Sequence, residues 1–155
     1  MTTLRNYPTF RGLVPTSPGA SQAKRNNRSS DTLHELVLRR ELSRLGLRFR
    51  KNVNSLPGKP DIVFSKARVL VFCDGDFWHG RNWRALRKKL LRGANASYWA
   101  AKIAKNVRRD RENTALLTKL GWRVIRLWET DIRENPPTLA ARIQKIVASR
   151  QGRTN

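Results

Sequence analysis

The stretch Leu56-Pro57-Gly58-Lys59-Pro60-Asp61-Ile62-Val63-Phe64-Ser65, followed after three residues by Val69-Leu70-Val71-Phe72-Cys73-Asp74, decides how the rest of the chain is read. Pro57, Gly58 and Pro60 mark a turn or loop. The apolar runs beyond it predict strands over residues 61–65 and 69–73, and an earlier strand is expected over residues 47–52. Upstream, a helix is predicted to begin near Ser30 to Thr32 and to stop at Gly46, a residue suited to the position just past a helix end. Leu33, Leu36, Val37, Leu42 and Leu45 are its expected apolar stripe. Downstream, a polar, basic segment runs from Gly80 to Asn95. A long helix is then predicted from about Ser97 to Leu120, closed by Gly121. Residues 122–128 read as another buried strand, with Val124, Ile125 and Leu127 apolar. Asn135 is expected to cap a last helix with Pro136 at its first position, and Leu139, Ile143, Ile146 and Val147 give that helix one apolar face. The order is α-β-β-β-α-β-α, an α/β fold. A strand–long helix–strand crossover predicts a parallel, right-handed last pairing.

Charge narrows the function. Lys and Arg number 33 against 11 Asp and Glu, a formal net charge of +22. An enzyme of small anionic metabolites has no need of that excess, and self-repulsion on this scale disfavours the compact state. A polyanionic partner is the natural explanation, nucleic acid first, because each phosphate contact releases condensed counterions. A ribosome-like structural protein would carry the same charge, but five Trp residues are many for a merely basic chain of 155 residues. That length suits one domain, expected over residues 30–150. Residues 1–29, with Pro8, Gly12, Pro15, Pro18 and Gly19, read as a basic tail that stays flexible until it meets DNA; residues 151–155 are expected to be disordered. The single cysteine, Cys73, excludes an internal disulfide and a Cys-based zinc cluster within one chain. No apolar run reaches the roughly eighteen residues of a membrane span, and no secretory segment is visible. A cytoplasmic protein without a membrane partner is expected.

Five segments stand in order: Asp31-Thr32-x-x-Glu35, Ser55-Leu56-Pro57-Gly58-Lys59-Pro60-Asp61, Phe77-Trp78-His79, Lys105-Asn106-Val107-x-Arg109-Asp110-Arg111 and Leu120-Gly121-Trp122-Arg123-Val124. Together, over roughly residues 20–130, they resemble the very-short-patch-repair endonucleases of the PD-(D/E)XK nuclease superfamily. The resemblance implies a restriction-endonuclease-like αβββαβ core with a C-terminal helix. It also implies a magnesium-dependent DNA endonuclease that nicks one strand of duplex DNA at or near a T:G mismatch. Such a protein would be a bacterial, nucleoid-associated monomer acting in mismatch repair. Two alternatives stay open: a homing or restriction-like endonuclease that cuts a paired site, and a basic DNA-binding protein without turnover.

The family's active-site set falls on Glu35, Asp61, His79 and Asp110, with Cys73 and Asp74 between them. Asp61 is the expected magnesium ligand through its carboxylate, a hard oxygen donor. The second ligand is the main chain at Cys73, and Asp74, where the repair enzyme carries a histidine, is a candidate extra ligand. Locally, Pro60-Asp61 reads equally well as a turn-initiating pair, and Glu35 as the capping-box partner of Thr32. His79 is the expected general base or acid, against simple packing at a strand end. Ile103, Val107, Asp110, Thr114 and Leu117 share one helix face, so Asp110 needs a partner such as an Arg or His79.

For DNA, the resemblance assigns a wedge of Phe77, Trp78 and Trp99 that unstacks a mismatched pair. Lys102 and Asn106, at i+3 and i+7 from Trp99, would read the base edge. Core packing and a solvated helix face are the plainer readings. Arg81, Arg84, Arg87, Lys88 and Lys89 would track phosphates without reading sequence. The family's structural zinc is expected to be absent, because its positions read Asp76, Arg81, Trp83 and Thr130.

Overall fold

The computed structural model describes residues 30–152, so the expected N-terminal tail and residues 153–155 lie outside the described residues. The described residues fall into two compact units, one of residues 30–76 and 110–152 and one of residues 77–109. The first holds the sheet. Its elements are α1 (Leu33–Arg44), β1 (Arg50–Lys51), β2 (Ile62–Phe64), β3 (Val69–Asp74), β4 (Arg123–Trp128), α4 (Glu129–Glu134) and α5 (Pro136–Gln151). The second holds α2 (Trp83–Leu90). The long helix α3 (Ala96–Lys119) contributes residues to both. No helix among the described residues is long and apolar enough to cross a membrane.

The four strands lie in the order β1-β2-β3-β4. β1 and β2 pair antiparallel, as do β2 and β3, whereas β3 and β4 pair parallel with Val69 opposite Arg123 and Asp74 opposite Trp128. The parallel last pairing is the one expected across a helical crossover. Strand alternation sends side chains to opposite faces, and both faces are covered. Ile62, Phe64, Val69, Val71, Cys73, Ile125 and Leu127 pack with Leu38, Leu42, Ile132, Ala140, Ile143 and Val147 of α1, α4 and α5. On the other face, Val63, Leu70 and Phe72 meet Val53 and Leu117.

Several boundaries differ from the sequence reading. β1 is only Arg50–Lys51, both residues exposed, because an edge strand with one neighbour keeps pairing only where β2 faces it. α2 forms within the basic segment, where Trp83, Leu86 and Leu90 are the half-buried side chains of an otherwise exposed helix. α4 was not expected; it turns Ile132 into the core. α5 runs through Gln151, one residue past the expected domain end.

The apolar stripe expected on α1 holds at Leu42 and fails at its three other leucines. Leu33 is 71% exposed, Leu36 49% and Leu45 39%, while the buried face is His34, Glu35, Leu38, Arg39 and Leu42. Three polar side chains on a buried face are costly unless each finds a partner. They do, and those partners build the candidate site. Gly46 closes α1 with φ +75, as the sequence reading expects.

Candidate active site

Asp61 heads β2. Its N–H donates to Val71 O at 3.1 Å, and the Cys73 N–H donates to Asp61 Oδ2 at 2.7 Å. The head of β2 is thereby held against the tail of β3. Alternation places Asp61 and Val63 on the same sheet face as Phe72 and Asp74. Burial raises the Asp61 carboxyl from 3.8 to about 7, against the lowering effect of the Cys73 N–H. The negative charges of Glu35 and Asp74 push it the same way, and Arg39 pulls it back.

Two arginines, neither singled out from the sequence, surround this carboxyl with neutralised acids. Arg39 of α1 is buried. Its Nη1 donates to Asp31 Oδ1 at 2.6 Å, and its Nη2 donates to Glu35 Oε2 at 3.3 Å, Asn52 Oδ1 at 2.8 Å and the Asp61 carbonyl at 3.2 Å. Hydrogen bonds from Arg39 and Asn52 hold the Asp31 carboxyl below its usual range. Glu35 accepts from the Asp31 N–H and the Thr32 hydroxyl, each at 2.8 Å. This is a capping box displaced by one residue: Glu35 reaches back past the N-cap residue, and the Thr32 hydroxyl caps no helix N–H. His34, also missed, sits 3.2 Å from Thr32 Oγ1 and 3.3 Å from the Cys73 carbonyl oxygen through Nε2. The i,i+4 spacing of Glu35 and Arg39 was the available signal.

Arg126 of β4 clamps the other side. Its Nε donates to Asp74 Oδ2 at 2.7 Å and its Nη2 to Asp74 Oδ1 at 2.8 Å, a bidentate pair. Nη2 also lies 3.3 Å from Asp110 Oδ1. Nη1 donates to Thr114 Oγ1 at 3.3 Å and to the Asp110 carbonyl at 3.5 Å. The guanidinium carbon lies 4.3 Å from the Phe72 ring centroid, a cation–π stack. Asp110 thus meets an arginine, one of the two partners expected for it. A charge in the otherwise apolar run Val124-Ile125-Arg126-Leu127 was the signal for Arg126.

Among the described residues Asp61 makes no ion pair, and no three His, Cys, Asp or Glu side chains form a ready metal cluster. The donors at hand are the Asp61 carboxylate, whose charge is poorly compensated and which accepts from the Cys73 N–H, and the main-chain oxygen of Cys73, itself contacted by His34. Hard oxygen donors with uncompensated negative charge suit a small divalent cation that keeps most of its water. The buried Cys73 thiol is pushed well above its ordinary pKa, first by desolvation and then by Asp61, so it stays protonated and does not suit a softer metal.

The unit of residues 77–109 carries the aromatic side chains. Phe77 packs edge-on against Trp78 at 5.2 Å and Trp99 at 5.7 Å, with Trp78 and Trp99 5.9 Å apart. Tyr98 adjoins Trp99 at 5.1 Å, and Lys102 Nζ lies 5.7 Å from the Tyr98 ring. The three side chains expected to form a wedge therefore share one cluster, with Phe77 38% exposed. Asn106 Nδ2 donates to the Trp78 carbonyl at 2.9 Å, fixing the main chain there. Gly80 has φ +68, and a Cβ there would lie 2.6 Å from Val107 Cγ2, so only glycine lets the turn after His79 rest on α3. Arg84, Arg87, Lys88 and Lys89 project from α2, exposed, and Arg81 is half-buried.

In the sheet unit, Thr130 donates its hydroxyl to Asp76 Oδ2, and its N–H lies 3.5 Å from Asp76 Oδ1. These are two of the four positions at which the resemblance would put zinc ligands. A direct hydrogen bond joins them.

A mixed four-stranded sheet with acidic side chains at the strand ends, in a chain of charge +22, is compatible with a nuclease core. Comparison with known proteins fixes which. The family model for DNA mismatch endonuclease Vsr matches residues 16–85. The chain is 44% identical over 127 residues to the type II nicking enzyme V.NmeDIP of Neisseria meningitidis serogroup C, covering 82% of this chain and 84% of that protein. It is 37% identical over 127 residues to V.HpaIIP of Haemophilus parainfluenzae, 82% and 89% of the two chains. To DNA mismatch endonuclease Vsr of Escherichia coli (strain K12) it is 40% identical over 103 residues, 66% and 64%. The chain belongs to the Vsr family and is a DNA endonuclease.

Proposed function

We propose that this endonuclease nicks one strand of duplex DNA at or near a T:G mismatch, using magnesium held at Asp61 in a PD-(D/E)XK core. The observation that carries the reading is electrostatic. Glu35, Asp74 and Asp110 each face an arginine, while Asp61, raised to about 7, is left for a cation to neutralise. Magnesium bound there would polarise the scissile phosphodiester and make a bound water more acidic. Asp61 and the Cys73 carbonyl would hold the ion. With its oxygens engaged by Asp31, Thr32 and Arg39, Glu35 positions the head of β2 rather than reaching a substrate. His79 would move the proton, an imidazole being suited to transfer near neutrality. Phe77, Trp78 and Trp99 would enter the base stack where a mismatch makes unstacking less costly, with Lys102 and Asn106 beside them. Arg81, Arg84, Arg87, Lys88 and Lys89 would hold the backbone. The names of the relatives, a mismatch endonuclease and nicking enzymes, support the same reading.

The test is incubation with matched and T:G-containing duplexes, with magnesium or with a chelator. Nicking only of the mismatched duplex, and only with magnesium, is the expected result. Cleavage of the matched duplex at a fixed sequence would replace it with a restriction-like activity. Tight binding without cleavage of either duplex would make the chain a DNA-binding protein.

A further inference from the structure

The sheet face that carries Asp61 also carries a cavity of about 340 Å3, lined entirely by the unit that holds the sheet. Val63, two residues beyond Asp61 on that face, lines it together with Val53 and Leu56, all members of one apolar cluster. Trp122, half-buried against the same cluster, is a further wall. The hydroxyls of two exposed serines, Ser55 and Ser65, add hydrogen-bonding groups. Two exposed arginines complete the lining. Arg50 stands opposite Val63 in the β1–β2 pairing. The guanidinium carbon of Arg68 lies 5.3 Å from the Trp122 ring centroid, and its Nη2 donates to the Leu120 carbonyl at 2.9 Å. No acidic side chain lines the cavity, and among the described residues neither arginine meets a carboxylate. They differ in this from Arg39 and Arg126, whose guanidinium groups are taken up by internal acids.

The lining matches a particular chemistry. Paired duplex DNA offers a protein surface mainly sugar and phosphate, which would use the arginines but has no need of an apolar floor beside an indole. An unpaired nucleotide uses both, because its base seeks a flat partner while its phosphate seeks cations. A guanidinium lying over an indole is itself a platform on which a base can stack. The volume sits at the lower end of the roughly 300–1,000 Å3 of small-molecule sites, the scale of one nucleotide. Along an extended strand Val63 is roughly 7 Å from Asp61 and Ser65 roughly 13 Å. At about 3.4 Å of rise per nucleotide, that is about two to four nucleotides from a bond cut at Asp61. We propose that this cavity is a subsite for one unpaired nucleotide of the DNA, at a strand end beside the nick. Its base stacks on Arg68 and Trp122, and Arg50 holds its phosphate. The subsite needs DNA as the partner; it needs neither a metal at Asp61 nor a T:G target.

The experiment is a fluorescence-anisotropy titration of the whole chain in chelator, so that no strand is cut. The reference is a nicked but fully paired duplex. The probes are the same duplex with one unpaired thymidine on the 3′ or the 5′ side of the nick. The wild type should bind one of the probes at least about fivefold more tightly than the reference, the lower end of what one base stack contributes. Ser55→Phe fills the cavity without changing charge and should abolish that preference. Arg50→Gln/Arg68→Gln should abolish it too. Arg142→Gln/Lys145→Gln, which removes the same charge from two exposed positions on α5, should weaken reference and probe alike and keep the preference. Should Ser55→Phe not fold, the arginine pair and its control still decide. A wild type without a preference overturns the proposal, as does a preference that survives in either cavity variant or is lost equally in the control. Thymidine monophosphate is the last arm. If it binds the wild type and not Ser55→Phe while no probe is preferred, the cavity belongs to a free nucleotide and the DNA subsite is refuted. Because nothing is cleaved, each of these failures leaves the proposed chemistry at Asp61 standing; loss of mismatch-dependent nicking in the cleavage assay would refute that reading and leave the subsite.

Discussion

Replacing Asp61 with asparagine should stabilise the metal-free protein, and only above a definable pH. In the native state the carboxyl titrates at about 7 rather than 3.8. Between those values the folded chain holds a proton that the unfolded chain has released. Stability therefore falls as pH rises through this window, because the native state binds more protons there. A rise from 3.8 to about 7 corresponds to about 4 kcal/mol, lost in full once the pH exceeds the native value. The asparagine side chain is neutral throughout and its Oδ1 can still accept the Cys73 N–H, so Asp61→Asn escapes the loss. The variant and the wild type should melt together near pH 4, and by pH 8 in chelator the variant should melt higher. For a chain of this size, about 4 kcal/mol is a shift of roughly 8–16 °C. Carboxylates not coupled to Asp61, Asp31 among them with its lowered pKa, contribute equally to both proteins and cancel in the difference. Magnesium at pH 8 should raise the melting temperature of the wild type and leave that of the variant where it was. Thermal or urea unfolding across pH 4–8 measures all of this. A difference between the two proteins that does not grow with pH, or a variant less stable than wild type at pH 8, would refute the electrostatic account of Asp61.

His79→Ala should slow nicking by about 100- to 10,000-fold if its imidazole transfers a proton; a folded variant that loses less than about tenfold assigns the residue to packing. Trp99→Ala should weaken binding to a T:G duplex by about 1–3 kcal/mol and to a matched duplex by less, and equal losses in a titration of both would remove it from the wedge. The double variant Arg87→Ala/Lys88→Ala should weaken both duplexes alike and lower the slope of log affinity against log salt by about two, one per phosphate contact; a sequence-dependent effect contradicts a backbone role. Metal analysis of the purified protein should find no stoichiometric zinc, and Asp76→Ala should cost about 1–3 kcal/mol of stability through the lost Thr130 bond, whereas one zinc per chain would show that residues 76–83 have been misread.

What the sequence made legible depended on whether a side chain's role is set locally or by what it meets. The strands 62–64 and 69–74, the parallel last pairing and the length of α3 follow from runs of apolar residues and from punctuating glycines and prolines, which are local signals. The family segments likewise marked Asp61, Glu35, Asp110 and the three aromatic residues. The buried face of α1 was misread because its leucines and valine suggested one stripe, while the helix turns His34, Glu35 and Arg39 inward instead. No periodicity argument selects that face. It is favourable because Asn52, Asp61 and Cys73, brought close by the sheet, supply the partners. Arg126 was hidden for the same reason, its partners lying 52 and 16 residues away. Charges buried in this way cost more than they return unless the geometry satisfies them. Two such arginines flanking one poorly compensated carboxylate are better explained by the demands of the site than by those of the fold. The core around Leu38, Leu42, Val71 and Ile143 packs without them; on the proposed reading of Asp61 as the metal ligand, they neutralise the neighbouring acids and leave its charge to a cation.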